Sequence, residues 1–286
     1  MGLAPRIIII LFCVGYSYGQ RIPQSLFEPI EATAEQRLRI HTLDTMKTRN
    51  FQQQQELSLL YAAVADYQNA YDAMEPLADS LVNDFTFQFI FGGIAGILAT
   101  ELPKVRSLPY VRTMKASFEQ AAALNPDHLE VQLVLLKLYA ELPWILGGSS
   151  NKAEQKVKEI EAISPIEGHL AKGYYNRIFN NNKEALIAYL DAVNEVKNCD
   201  LELNPLTNDA YYRLAVLSFY LQKEVTKAEC FFSMYLEHYQ QGDAYPKSFA
   251  RYYMSKLAHP ELVDADMEQI LQEYDGLTAW IQNNFK

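Results

Sequence analysis

Ser164 to Glu195, SPIEGHLAKGYYNRIFNNNKEALIAYLDAVNE, reads as two antiparallel helices joined by a short polar turn. Ser164 can cap, Pro165 suits the first helical position, and Glu167 stands three residues after Ser164, where it would close a capping box. Asn180-Asn181-Asn182 supplies the turn. Ala185, Tyr189 and Ala192 then recur at i, i+4 and i+7, one face of a second helix. Gly173 on the first helix and Ala185 on the second leave two backbones room to approach closely.

The same layout extends in both directions. Phe51 to Asp84 reads as the first such unit, with Leu57, Tyr61, Ala70, Met74 and Leu77, and with Asp66-Tyr67 ahead of its second helix. Phe85 to Pro126 is longer and irregular, with Phe118, Ala121 and Pro126 in register and Pro103 and Pro109 breaking the connection. Leu129 to Pro165 holds Leu135 and Tyr139, then Ala153, Val157 and Ile160; the excess length of its turn lies in Leu142 to Ser149. From Asn208 another unit begins, with Ala215, Ala228, Phe232 and Tyr235 and one extra residue in the turn. About five units of ~34 residues thus cover Phe51 to about Gln241, and no strand-period alternation competes.

The hairpin resembles a tetratricopeptide repeat, through Gly173, Ala185, Tyr189 and Ala192. LPWILGGSSNKA followed by ISPIEGHLAKG resembles, over about Lys115 to Ala192, exported bacterial tetratricopeptide proteins with a Gly-Gly-Ser insert between paired helices. It is also similar to the helical accessory proteins of TRAP-type solute transporters. The resemblance implies an all-α fold, an α-α superhelix or solenoid of about five helical hairpins with helical caps. It implies a concave surface made by the first helix of each pair, with partner contacts at Lys137, Leu170, Tyr174, Arg177, Tyr212, Phe219 and Tyr220. Aromatic rings plus Arg suit a partner peptide, because they supply large area with few rotors. Tyr at helical spacing also suits simple packing on the next repeat.

Composition bounds the partners. The 286 residues are 49% hydrophobic and 21% charged, enough for a large core. A formal charge of -10 without a basic run repels phosphate backbones, which argues against nucleic acid. Nineteen Tyr against two Trp favours half-buried rings with wet hydroxyls. Met1 to Arg6, the apolar Ile7 to Val14 and the small residues Ser17 and Gly19 before Gln20 make an export signal, with an apolar run well short of the ~20 residues of a membrane span. Cys13 follows Phe12, which does not fit a lipoprotein signal. The short signal resembles those of bacterial envelope proteins, so the expected location is the periplasm or outside. Of the cysteines left after cleavage, Cys199 and Cys230 either pair or serve as small apolar residues.

The expected organisation is a signal peptide at 1–19, a lead-in and capping helix at 20–50, repeats at 51–243 and C-terminal capping helices at 244–286. Thr33-Ala34-Glu35-Gln36 is a capping box for a helix from Ala34 to about Thr48. Phe85 to Leu98, the most apolar run of the mature chain, reads as a buried repeat helix with a small face at Gly92 and Gly96, too short to span a membrane. In the tail, Phe249, Tyr252, Tyr253 and Leu257 make one face, Met267, Leu271, Tyr274 and Trp280 another, and Asp264 is placed to cap the last helix.

A search for chemistry finds little. Ser149-Ser150-Asn151-Lys152 contains a Ser-x-x-Lys match, but the Ser-Asp-Asn and Lys-Thr-Gly elements that accompany it in penicillin-recognising enzymes are missing. Gly147 and Gly148 turning the chain and a Ser capping a helix explain the stretch, with anion binding at that helix start as an alternative. The five His form no His-Glu-x-x-His, and there is no Cys-x-x-Cys. No catalytic residue, metal or cofactor is expected. The sequence therefore points to a non-catalytic exported scaffold for a protein or peptide. The alternatives are a transporter-like accessory or small-ligand-binding protein and, last, a hydrolase acting through Ser149.

Overall fold

The computed structural model describes residues 26–196, 206–222, 224–240 and 242–285; the segment read as an export signal and Cys199 lie outside them. Among the described residues there are fourteen α-helices and no strands, and consecutive helices pack in pairs. The chain divides into two compact units, with the boundary in the first turn of α6 (Leu129–Glu141).

The first unit holds α1 (Ala34–Asp44), α2 (Phe51–Ala63), α3 (Tyr67–Met74), α4 (Phe85–Glu101) and α5 (Lys104–Leu124). Thr33 and Gln36 form the expected capping box, the Thr33 hydroxyl accepting from the Gln36 N–H at 3.1 Å and Gln36 Oε1 accepting from the Thr33 N–H at 2.9 Å. The helix stops at Asp44 rather than near Thr48. Arg49 folds back and donates through Nη1 to the Leu43 carbonyl at 2.9 Å, satisfying an end of the helix that would otherwise need another turn. Leu57, Ala70, Met74 and Leu77 are buried.

The apolar run Phe85 to Leu98 is helix α4, buried along α5. A side chain at Gly92 would meet the Phe118 ring at 3.2 Å, and one at Gly96 the Met114 sulfur at 3.0 Å. The small face therefore admits α5 and not a bilayer partner. Among the described residues no helix is long and apolar enough to cross a membrane. Pro103 does interrupt the chain, at the cap of α5, but Pro109 does not: it lies inside α5, one turn in. Its cost there is one missing N–H, and Val105, whose carbonyl loses that donor, is strongly exposed.

The second unit runs from Gln132 onward with a lead-in segment ending at Glu28. Leu26 and Phe27 pack on its core, and Glu28 pairs with Lys247 at 3.1 Å. Its helices after α6 are α7 (Ser150–Ile163), α8 (Pro165–Ile178), α9 (Asn182–Glu195), α10 (Asn208–Leu217), α11 (Val225–Glu237), α12 (Lys247–Ala258), α13 (Ala265–Tyr274) and α14 (Gly276–Asn284). The α8–α9 hairpin is the one read from the sequence. Asn180 takes a left-handed φ of 60° in its turn, and Ala185, Tyr189 and Ala192 are buried. Gly173 is needed because a Cβ there would sit 2.4 Å from the Tyr189 ring.

Three local expectations are corrected. The Ser164–Glu167 capping box does not form. Ser164 ends α7 as well as starting α8, its hydroxyl is buried without a partner, and Glu167 turns away to accept from Thr207, from its N–H at 2.8 Å and its hydroxyl at 2.6 Å. A buried carboxylate gains two donors by that choice, more than the cap offered. The extra residue after α10 is not in a turn but is absorbed as a π-helical turn, Ser218–Gln222, which widens the helix by one residue. Asp264 caps α13 and not the last helix; Asp275 caps α14.

The tyrosines are also more deeply used than half-burial implies. Tyr212, Tyr235 and Tyr253 are fully buried, which is affordable because each hydroxyl has a partner: Asp275, the Tyr245 carbonyl and Thr278. Cys230 is disulfide-bonded.

Candidate functional site

Helices α6, α8 and α10 and the π turn after α10 carry the residues that the sequence assigns to a partner, all within the second unit. Tyr174 and Arg177 sit one turn apart on α8. The Tyr174 hydroxyl donates to Glu141 Oε1, and the Arg177 guanidinium lies 5.5 Å from the Tyr174 ring. Lys137, one turn before Glu141 on α6, is buried and attracts the same carboxylate. Burial pushes the Glu141 carboxyl up from its ordinary range, while the Tyr174 hydroxyl, Lys137 and Arg177 pull it back. Glu141 Oε2 and Arg177 Nε are buried and have no hydrogen-bond partner.

Arg177 also reaches along the chain. Its Nη1 donates to the main-chain carbonyl of Gly276, the first residue of α14. Beside it stands Asp275, 0% exposed, whose carboxylate accepts four hydrogen bonds. Oδ1 takes the N–H groups of Leu277 at 3.0 Å and Thr278 at 3.2 Å; Oδ2 takes the hydroxyls of Tyr212 and Thr278, both at 2.8 Å. The cap that starts α14 is thus tied directly to α10. Burial, then the Asp275 charge, drives the Tyr212 hydroxyl well above its ordinary value, so it stays a donor. Tyr212 stacks on Tyr245 with ring centres 3.9 Å apart.

The rest of α14 is held in the same manner. Gln282 Nε2 donates to the Tyr220 hydroxyl at 3.0 Å, and Trp280 Nε1 donates to Asn182 Oδ1 at 2.9 Å while its ring meets Tyr189 edge-on. Asn182 Nδ2 donates in turn to Asn284 Oδ1 at 3.0 Å. Phe219 and Tyr220, in the π turn, pack edge-to-face on each other and on Tyr253.

Of the seven residues assigned from the sequence, Lys137, Tyr174 and Arg177 come together around Glu141. Tyr212 and Leu170, both 0% exposed, lie in the core, and Phe219 and Tyr220 are half-buried at its edge. Sequence reasoning missed Glu141 and Asp275. Glu141 looks like a helix-end charge, and only its i+4 relation to Lys137 hints otherwise. Asp275, between Tyr274 and Gly276, was findable as a helix cap.

Ser149, the other candidate, is the cap of α7, its hydroxyl accepting from the Lys152 N–H at 3.3 Å, and the Lys152 ammonium lies 5.1 Å from the Tyr139 ring. Among the described residues no three His, Cys, Asp or Glu gather as a metal ion would need. Comparison with protein-family models finds no match, and comparison with curated proteins finds none either.

Proposed function

We propose that the chain is an exported helical-repeat scaffold, of the tetratricopeptide kind, that holds a protein or peptide partner in the bacterial cell envelope without transforming it. The recognising face is the one that carries Lys137, Tyr174, Arg177, Phe219 and Tyr220, where α14 of the same chain already engages Arg177 and Tyr220. The observation that supports this most is the way that face treats α14. Arg177 grips a main-chain carbonyl, Tyr212 grips a helix cap, and Tyr220 grips a side-chain amide of one short segment. These are contacts of the kind a bound peptide makes, a few polar anchors amid aromatic area. The test is affinity capture from the native envelope with wild type and with the double variant Arg177→Ala, Tyr220→Ala. Loss of a discrete captured protein in the variant is expected; the same captured set from both would end the assignment.

A second reading, a small-ligand or transporter-accessory protein, draws on the unpartnered polar atoms Glu141 Oε2 and Arg177 Nε, a buried acceptor and donor in one cluster. Dialysable ligand released on denaturing protein purified from the envelope, absent from Glu141→Gln, would favour it over the scaffold.

A further inference from the structure

The hairpin of α6 and α7 carries at its tip a feature that the partner-binding face does not use. Trp144 is 84% exposed and Ile145 73% exposed, side by side in a 3-10 turn, Trp144–Leu146, with exposed Pro143 before them. A loop with two large apolar side chains in water ordinarily buries them or varies its shape. This one is held fast. Gly148 N–H donates to the Pro143 carbonyl at 3.1 Å, Gly147 N–H to the Trp144 carbonyl at 3.0 Å, and Ser149 N–H to the Tyr139 carbonyl at 2.8 Å. Gly147 sits at a φ of 91°, and a Cβ on Gly148 would fall 1.7 Å from the Leu142 carbonyl oxygen, so the two glycines allow this shape and few other residues would.

We propose that this tip dips into the interface of a lipid bilayer. Two arguments choose the occupant. The first is area. Two side chains offer at most a few hundred Å², against about 800 Å² per partner in a stable protein interface, and the first turn of α7 behind them is polar. A bilayer interface sets no such minimum: it takes an indole ring at headgroup depth together with a single aliphatic neighbour. The second is charge. Leu142 to Asn151 contains no charged residue in a chain of net charge -10. The tip therefore presents nothing for a zwitterionic surface to repel, whereas the chain as a whole is repelled by an anionic one. Such contact is weak and reversible, and orients the chain at the membrane without spanning it.

The chain has two tryptophans, Trp144 at the tip and Trp280 packed on Tyr189, so fluorescence can follow the tip. Chain purified from the envelope is titrated with phosphatidylcholine vesicles and, separately, with vesicles rich in phosphatidylglycerol. The expected result is a saturable blue shift with phosphatidylcholine, quenched by lipids brominated near the headgroup. Trp280→Phe should keep it. Trp144→Ala should lose it and lower the vesicle partition coefficient by about tenfold or more, with unchanged thermal unfolding because the residue is exposed. No shift with either vesicle overturns the proposal, as does partitioning that Trp144→Ala leaves intact. A shift that appears only as protein concentration rises, without vesicles, would assign the tip to a second copy of the chain and overturn it as well. None of these readouts depends on the face that carries Arg177.

Discussion

Replacing Asp275 by Ala should unfasten α14 and cost the second unit about 2–5 kcal/mol. The figure is built from the four bonds to the carboxylate. Removing the cap acceptor from the N–H groups of Leu277 and Thr278 costs about 1 kcal/mol, with ~2 as the upper end. The Tyr212 hydroxyl, fully buried, then has no acceptor, which costs about 1–3 kcal/mol. Thr278 loses less, because Tyr253 remains 2.8 Å from its hydroxyl. Asp275→Asn keeps one acceptor oxygen for the two N–H groups but turns an NH2 toward two hydroxyl donors, so about 1–3 kcal/mol is expected. Tyr212→Phe removes the donor and leaves Oδ2 bonded to Thr278, so about 1 kcal/mol is expected. The assay is urea unfolding followed by Trp280 emission in a Trp144→Phe background, so that the signal comes from α14 alone. The order Ala, then Asn, then Phe from most to least costly is the prediction. A loss below about 1 kcal/mol for Asp275→Ala would show that α14 does not depend on this carboxylate and would refute the reasoning.

Asp243, whose Oδ2 accepts from the Gln240 N–H at 2.9 Å and from Asn208, is pushed up to about 6, mainly by burial. A raised carboxyl favours the folded state below the unfolded pKa near 4 and loses that contribution as pH climbs to about 6. Stability attributable to it should therefore fall across pH 4–6 and be flat above. The loss is about 1–2 kcal/mol after discounting for its partial exposure, and Asp243→Asn should abolish the slope in unfolding midpoints measured over that range. Gly173→Ala gains helix propensity but drives a methyl into the Tyr189 ring, so a net loss of about 1–2 kcal/mol is expected by thermal unfolding; no loss would mean that α8 and α9 are not so close. Glu167→Ala strands the Thr207 N–H and hydroxyl and should cost about 2–4 kcal/mol, with hydrogen exchange faster at the start of α10 than elsewhere in the unit.

Period and small residues made the hairpins legible. Gly173, Ala185 and Ala192 say where two helices touch because only small side chains permit that distance, and the buried Leu57, Ala70, Met74, Ala153, Val157 and Phe232 follow from the helical period. Caps were legible when their partners were local, as at Thr33 and Gln36, and illegible when a distant donor outbid them. Glu167 finds Thr207 forty residues on, a choice that no local window contains. Likewise one extra residue after Leu217 reads equally well as a longer turn or as a π bulge, and only packing decides. The candidate face was half legible. The positions of Lys137, Tyr174 and Arg177 follow from helical spacing, but the carboxylates that organise them, Glu141 and Asp275, act through tertiary contacts. That Tyr212 points into the core depends on Asp275 and Tyr245, which periodicity on α10 alone does not reveal.

The face formed by α8, α10 and the π turn after α10 is proposed to recognise a protein or peptide. A photo-reactive benzoylphenylalanine placed at Tyr220 in the full chain, irradiated in the native envelope, tests that directly, with the same group at exposed Ile187 as the comparison. A discrete crosslinked partner from position 220, and none of that size from position 187, is the predicted result. No adduct from position 220, or the same adducts from both positions, would contradict it.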